Sequence, residues 1–538
     1  GIGKSRLAAT FTDNLHAAGV AIAVTLAERD DRRSSLLAWR RVLETLLGLP
    51  AESDGLVLLE SITARIRTAS WIADRLPLLN DLLAIEIEQN EGTRHLEGAH
   101  RADATMRLLG DILGVLAPRP FALVLEDSQW LDSASWRLVE WVLGSVPSLL
   151  LVLCVRSEEV PEDLKQLRRR VEAAGETGTE AEEPARRYRI LELEELDDGT
   201  VCELVSRTLG EVPPQQELAR RVAALAGGNP FFAEEIALTL KSEGLIAVRD
   251  GLWRSIRPLE DLQYFEGVER VIRERVDRLD SISQDVIKAA AVIGRSFTFA
   301  ELEALLKDEL NAEGLGSAVE RLVDAHLVRR LGQAGSYEFR HDQTRDVVYG
   351  SMPGDLRSRL HASLAHWLER SRIEAMGGDL AVLVQHFEAA DNKEKVVKYA
   401  DLAAARALQV GAFREVESFL GICMAHEPKP QDWTPEQRLQ AVRWRRKLAE
   451  AHYSRGDIHA QGIAVRNALK AAGQPVPVSS SATLMRLAAR SLRLAVQQML
   501  PETAKLAHRE DRLSWEREMA RCLNQAALVD YFELRFTR

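Results

Sequence analysis

A chain of 538 residues is too long for one hydrophobic core, and its length suggests three or four domains of roughly 100–200 residues each. Its 46% hydrophobic and 28% charged residues are ordinary for soluble globular protein, and 6% aromatics among many Ala, Leu, Glu and Arg residues favour helix over sheet. The net charge of −11 argues against a protein that coats nucleic acid, which needs a concentrated basic surface.

The chain opens on Gly1-Ile2-Gly3-Lys4-Ser5-Arg6-Leu7, the second half of the phosphate-binding motif G-x-x-x-x-G-K-[ST]. The full motif needs an earlier glycine and a buried strand before it, so the reading expects a segment upstream of Gly1. In such a turn, backbone N–H groups around Gly3 face phosphate oxygens, Lys4 reaches the β- and γ-phosphates and Ser5 ligates Mg²⁺. The following helix offers its positive end.

Val20 to Leu26 is a short β-branched run after Gly19, the pattern of a buried parallel strand. Helical periodicity runs from there to about residue 115. Phe121 to Leu125 reads as a second strand that delivers Glu126 and Asp127 at its carboxyl end, where doubly wound sheets bind ligands. Asp132 or Ser133 caps the next helix, and a third strand from Leu149 to Val155 ends in Arg156. A charged helix and a solvated loop are expected over 158–187, then a strand from Tyr188 to Leu193.

Asp197-Asp198 starts an amphipathic helix, and the pattern stays helical to about residue 260 except at the turn Gly227-Gly228-Asn229-Pro230. Residues 265–350 read as three helices and a hairpin, Leu327 to Leu331 with Ser336 to Arg340, which describes a winged helix. Helices fill the rest. Ala404, Ala407, Gly411, Leu420 and Cys423 find counterparts in Ala449, His452, Gly456, Val465 and Ala468, the spacing of tetratricopeptide-like helix pairs, although the interval exceeds about 34 residues.

Four cysteines, Cys154, Cys202, Cys423 and Cys522, lack metal or disulfide spacing, which suits a reducing compartment and a cytoplasmic location. The most apolar stretch, 141–155, is interrupted by Pro147 and falls short of the roughly 18 unbroken apolar residues of a membrane span.

Adjacent acids after an apolar strand supply what a P-loop lacks, a metal ligand and a group that orients water. Glu126 and Asp127 fit both tasks, and their division of labour stays open. Arg156, leaving the neighbouring strand, either reaches a γ-phosphate, which a guanidinium matches bidentately, or pairs with Glu158 or Glu159. Gln129 either orients a water or stands solvated. Trp130 and Trp136 read as packing. Pro230 either sets a rigid ring against adenine or merely punctuates a turn, and His341 is either structural or touches the β-phosphate.

These motifs, in this order, resemble the signal-transducing AAA-like ATPases with numerous domains, the STAND ATPases. The resemblance rests on 1–7, on Leu123-Val-Leu-Glu-Asp-Ser-Gln-Trp-Leu-Asp132, on Gly228-Asn-Pro-Phe-Phe-Ala-Glu-Glu235 and on Phe339-Arg-His-Asp342. It implies that the first is Walker A, so that Gly1, Gly3, Lys4, Ser5 and Arg6 hold ATP or ADP, and that the second is Walker B. It implies Mg²⁺ at Ser5, Glu126 and Asp127, catalysis by these two acids with a sensor Arg156, Pro230 at adenine and His341 as the ADP-sensing histidine. Glu126 stands where the family commonly has Asp, Gln129 where it often has His, and Arg340 where it has Met, which bears on hydrolysis more than on binding.

The tail, from Ala468 through Pro477 to Pro501, looks like the helical region of bacterial proteins in which such an ATPase follows an adenylate or guanylate cyclase or a kinase domain. The expected organisation is a multidomain, mainly α chain: a P-loop core over 1–193, a helical lid over 194–262, a winged helix over 263–355 and helical repeats over 356–538. The expected role is an ATP/ADP switch controlling an upstream output domain, with slow hydrolysis, a protein or small-molecule signal at the repeats and an ATP-dependent homo-oligomer. Two other readings stand beside it: a transcription regulator using Arg270, Arg273, Arg275 and Arg278, and a nucleotide-independent scaffold. Those arginines interleave with Glu269, Glu274 and Asp277, the pattern of a solvated helix face.

Overall fold

A computed structural model describes residues 3–474 and 509–532, apart from 30–32, 51–52, 67–68, 84, 86, 147, 157–158, 178–188, 211, 243, 257–267, 308, 332–334 and 374–379. The chain is mainly helical, with an α/β part at its start. Helix α1 (Lys4–Ala17) leads to β1 (Ala21–Leu26), then α2 (Leu37–Leu47), α3 (Gly55–Arg65), α4 (Ser70–Ala73), α5 (Asn80–Leu83) and the long α6 (Gly98–Leu116). Strand β2 (Phe121–Glu126), α7 (Ser133–Ser145), β3 (Leu149–Leu153) and α8 (Glu162–Thr177) complete it.

The three strands are parallel in the order β1-β2-β3, with Ala21 opposite Phe121 and Phe121 opposite Leu149. Covered on both faces, β2 buries Phe121 to Leu125 and carries Glu126 to its rim, which is why its sequence is an unbroken apolar run rather than an alternation. The strand expected from Tyr188 to Leu193 is not formed. Residues 189–197 have no regular structure, Ile190 and Leu191 are 50% and 78% exposed, and Tyr188 lies outside the described residues. Among the described strands β3 is an edge with no neighbour beyond it, so an apolar β-branched run there has no ladder to join.

The second unit holds α9 (Asp198–Leu209), α10 (Gln216–Ala226) and α11 (Pro230–Ser242), followed by a hairpin of β4 (Ile246–Arg249) and β5 (Leu252–Ser255). Asp197 caps α9, accepting from the Thr200 amide at 3.0 Å. The hairpin replaces helix expected to about residue 260. Its two-residue turn, Asp250-Gly251, has both residues in the left-handed region, at φ 52° and 74°, the geometry that an Asp-Gly pair between alternating runs favours. Val201, Val205, Leu218, Val222, Ile236 and Leu240 give this unit a core of its own.

The third unit runs through α12 (Val268–Asp277), α13 (Ser281–Ile293), β6 (Ser296–Thr298), α14 (Phe299–Leu306), α15 (Ala312–Asp324), β7 (Val328–Arg330), β8 (Ser336–Phe339) and α16 (Asp342–Ser351). The expected hairpin is present and gains β6, in an antiparallel sheet ordered β6-β8-β7.

Helices α17 (Gly354–Leu368), α18 (Leu380–Ala389), α19 (Lys393–Val410), α20 (Phe413–Ala425), α21 (Pro435–Ser454), α22 (Ile458–Ala471) and α23 (Arg509–Phe532) follow. The two sets of matching positions fall on two helix pairs: α19 and α20 turn at Gly411, α21 and α22 at Gly456, both glycines left-handed at φ 77° and 78°. Ala404, Ala407, Leu420, Cys423, Ala449, Val465 and Ala468 are all buried. The Leu/Arg-rich stretch ending at Pro501 lies outside the described residues.

The first helix pair lies against the N-terminal unit, α19 on α5 and α6, and α20 on α7. Arg137 of α7 donates to the Gly411 carbonyl at 3.2 Å and lies over the Phe413 ring. The Glu415 carboxylate accepts from the Ser133 amide at 3.0 Å and from its hydroxyl, and Arg414 pairs with Asp163. Asp132 caps α7 beside this contact, taking N–H groups of Ala134, Ser135 and Leu36, each at 3.0 Å. Burial, and then the Glu415 charge, push the Asp132 carboxyl up.

A side chain at Gly411 would set its Cβ 2.9 Å from the Ala102 Cβ and 2.0 Å from Arg137 Nη1. Gly411→Ala combines that clash with a left-handed backbone that costs an L-residue roughly 1–2 kcal/mol. Gly421, inside α20 with nothing within 4 Å, should behave oppositely, because Ala gains about 0.8–1.0 kcal/mol over Gly in a helix interior. Thermal unfolding is expected to move down for Gly411→Ala and up for Gly421→Ala.

Candidate functional site

Gly3 sits at φ 97° and caps α1, a conformation that glycine adopts without strain. A Cβ built on it would face Pro230 Cγ at 4.0 Å, so the first residue of α11 stands directly before the phosphate-binding turn. Lys4 is half-buried, while Ser5 and Arg6 are exposed. Arg6 reaches Glu234 of α11 at 3.4 Å, a second link between the same two helices. Gly1 lies outside the described residues.

Glu126 and Asp127 leave β2 at the sheet rim, where the register places Leu26 of β1 opposite Glu126. The two acids separate at once, because Asp127 takes a left-handed backbone at φ 48°. Its carboxylate accepts from Gln129 Nε2 at 3.0 Å and lies 3.6 Å from Arg156 Nε. The Glu126 side chain makes no hydrogen bond or ion pair among the described residues. Cys154, after β3, registers the surrounding charges: burial, then Glu126 and Asp127, push its thiol up to about 11, and Lys4 pulls the other way. Lys4 at the start of α1 and the acids at the end of β2 thus both act on the thiol at the end of β3.

Gln129 differs from both expectations. It is buried, donates to Asp127 and accepts from the Arg156 amide at 3.3 Å, so it clasps the two strand exits together instead of standing solvated or free to hold a water. Trp136 is core, as expected, and Trp130 lies under the Arg29 guanidinium.

Gly228 at φ 74° holds the turn before α11: a Cβ there would lie 2.7 Å from Glu195 Cβ and 2.8 Å from the Leu196 carbonyl. Asn229 caps the turn by accepting from the Phe231 amide at 3.1 Å. Phe231 is buried in the main core of the chain rather than in the core of its own unit, and its ring meets the His341 ring at 4.2 Å. His341 stands at the start of α16, with Nε2 4.0 Å from the buried Glu235 carboxylate. Glu235 is itself paired with Arg275, which also donates to the Ala325 carbonyl at 2.6 Å. Burial, then Arg340 and Arg275, lower His341 to about 4, so its imidazole is neutral near pH 7.

A line of charges crosses from the sheet to the third unit. Arg156 lies between Asp127 at 3.6 Å and Asp342 at 3.9 Å, and Asp342 is held by Arg295 at 2.9 and 3.0 Å. Among the described residues Arg156 forms no ion pair with Glu159, and Glu158 lies outside them. Asp342, Arg295, Glu235, Arg275 and Phe231 were not singled out from sequence as interacting residues. Phe231, Glu235 and Asp342 stood inside the motifs that carry the resemblance and Arg275 among the arginines weighed for nucleic acid, whereas Arg295 carried no local signal.

The donor set suits a hard cation: one hydroxyl and two carboxylates, few enough that phosphate and water oxygens complete an octahedron. Among the described residues no group of three or more His, Cys, Asp or Glu could hold a metal. A hydroxyl and carboxylates are donor types that a Mg²⁺-nucleotide takes.

Residues 1–155 match the AAA ATPase domain family. The match supports a P-loop, AAA-like ATPase fold for that part of the chain. Residues 200–254, the second unit, match a domain family of unknown function. No curated protein matches the chain. Among solved structures it is similar to a single-substitution variant of Thermotoga maritima RuvB, at 16% identity over 47% of this chain and 85% of that one, TM-score 0.18. It is also similar to a Walker-type ATPase of Pyrococcus abyssi, at 15% identity over 64% and 94%, TM-score 0.21. At such TM-scores neither describes how the units of this chain are arranged. Among the described residues no helix is long and apolar enough to cross a membrane.

Because His341 is held below its ordinary 6.5, the packed arrangement favours its neutral form. Stability from this contact is complete above 6.5 and is lost as pH falls toward 4. Thermal unfolding of the wild type should therefore drop, relative to His341→Gln, across that window, and parallel pH profiles for the two proteins would refute the assignment.

Proposed function

We propose that this chain is the nucleotide-responsive switch of a larger signalling protein, of the STAND type. One observation carries the reading: the phosphate-binding turn, the lid turn and the start of α16 meet at one place, Pro230 against Gly3 and Phe231 against His341. In this reading 198–255 is the lid, 268–352 a winged helix and α19 to α22 tetratricopeptide-like repeats. The neutral His341 imidazole donates to a β-phosphate, Pro230 covers the base, and Lys4 with the amides around Gly3 holds the phosphates.

Mg²⁺, when bound, neutralises charge on the β- and γ-phosphate oxygens. Ser5 with Glu126 or Asp127 would hold it. Glu126, the acid without a partner among the described residues, is suited to orient a water, whereas Asp127 is committed to Gln129 and faces Arg156. That division supports slow hydrolysis. With ADP, the lid and winged helix stay packed on the core. With ATP, Arg156 turns from Asp127 and Asp342 to the γ-phosphate, and the packed state loses its tie.

The output domain, on the resemblance, is a cyclase or kinase outside this chain, and the repeats receive a protein or small-molecule signal in the cytoplasm. Opening would free surfaces for an ATP-dependent homo-oligomer. Nothing favours the nucleic-acid reading, since Arg275 is turned inward onto Glu235 and Arg270 pairs with Glu274.

Purified full-length protein, denatured and analysed by chromatography, should release near-stoichiometric ADP. Lys4→Ala is expected to release none, and His341→Ala to lose ADP at least about tenfold faster, the cost of one charge-assisted phosphate contact. Wild-type protein that carries no nucleotide and binds none when ATP is added would overturn the switch.

A further inference from the structure

Arg156 is the group that must change partners, and its present partners hold it loosely. It lies 3.6 Å from Asp127 and 3.9 Å from Asp342, both beyond hydrogen-bond reach, and its side chain is 45% exposed. The looseness toward Asp342 has a visible cause. Arg295 lies closer to the same carboxylate, with Nη1 2.9 and 3.0 Å from its two oxygens.

Arg295 is fixed in place. It stands between α13 and β6, and its carbonyl accepts from the Phe339 amide at 2.9 Å, which ties it to the end of β8. Its side chain is 19% exposed, with Glu338 at 3.9 Å as a further neighbour, and Glu338 is shared with Arg329. Asp342, whose carboxyl is pushed up by burial and held down chiefly by Arg295, therefore has most of its charge answered from within the third unit before Arg156 meets it.

We infer that Arg295 is a positioning residue that sets the preference of the site between nucleoside triphosphate and diphosphate, by weakening the hold of Asp342 on Arg156. This rests on the switch proposed above and adds its adjustment. Two cations facing one carboxylate share its attraction, so the arginine with the closer geometry leaves the other more available to a phosphate. Without Arg295, and at a pH high enough to keep the buried Asp342 ionised, its carboxylate faces Arg156 alone and a γ-phosphate competes less well. Without the Asp342 charge, Arg156 is freer and a γ-phosphate competes better.

The two members of one ion pair should thus act in opposite directions, which a merely structural pair would not do. The measurement is the ratio of ATP to ADP affinity in the full-length protein with Mg²⁺, by competition against a fluorescent ADP analogue. Arg295→Gln should lower the ratio and Asp342→Asn should raise it, each by about two- to fivefold, the scale expected for one partly exposed charge contact. Arg295→Lys, which keeps the charge, should stay near wild type and serves if Arg295→Gln does not fold. Ratios that move in the same direction, or a Lys variant that behaves as Gln does, would overturn the inference while Lys4-dependent binding by the wild type leaves the switch standing. A wild type that binds neither nucleotide would overturn both.

Discussion

The contact between Phe231 and His341 is the joint on which the arrangement around the nucleotide site depends. Phe231 belongs by sequence to the second unit, yet its ring is buried in the main core while most of that unit packs around a separate one. A unit with its own core keeps its fold when it moves as a body, and the described ties of the second unit to the remainder include the packing of α11 on α12, Phe231 on His341, Pro230 before Gly3, Arg6 with Glu234, and Glu235 with Arg275. Ties of mixed chemistry make a joint that one ligand can shift, because a ligand moves an equilibrium only by its differential affinity for the two states.

Electrostatics in that joint follow from burial. Glu235 is 1% exposed, and an ionised carboxylate so placed is tolerated only when paired. Arg275 answers it from α12, which orients the third unit against the lid. His341, 4.0 Å from the same carboxylate, is kept neutral by desolvation and by the surrounding arginines, so its ring can donate a hydrogen bond without bringing a charge that the joint would have to solvate. The chain from Asp127 through Arg156 and Asp342 to Arg295 has the same logic at a wetter place: partners at 3.6 and 3.9 Å are exchangeable where tight bidentate pairs are not.

Helix α20 contacts the N-terminal unit at the start of α7. Asp132 closes the stretch that begins at the acid pair, and its carboxylate gathers N–H groups of α7 and of Leu36. The next residue, Ser133, is gripped by Glu415 of α20. Two buried carboxylates at adjacent positions repel unless hydroxyl and amide donors separate them, and here Ser133 and Ser135 do so. A displacement of α20 would thus be felt at the N-terminus of the helix that follows the Walker B strand.

Much of the site was legible locally. Gly3, Lys4 and Ser5 form a contiguous motif, Glu126 and Asp127 end a purely apolar run, and Asp132 and Asp197 cap helices through their own side chains, so each is a matter of a few neighbouring residues. The Asp250-Gly251 hairpin was equally local, but its short alternating strands lay inside a stretch of helical periodicity that masked them. The run at 188–193 was misread for a different reason: β propensity states what a segment suits, and a strand also requires an edge to pair with. The partners of Arg156 and the inward turn of Gln129 were decided only by tertiary structure, because they join residues from separate units or strand exits whose distances no spacing encodes. So were the roles of Arg295 and Asp342 and the return of α19 and α20 onto α6 and α7. The sequence by itself determined which groups are able to hold phosphate and metal; the packing of three units determined which of those groups are already engaged, and by whom.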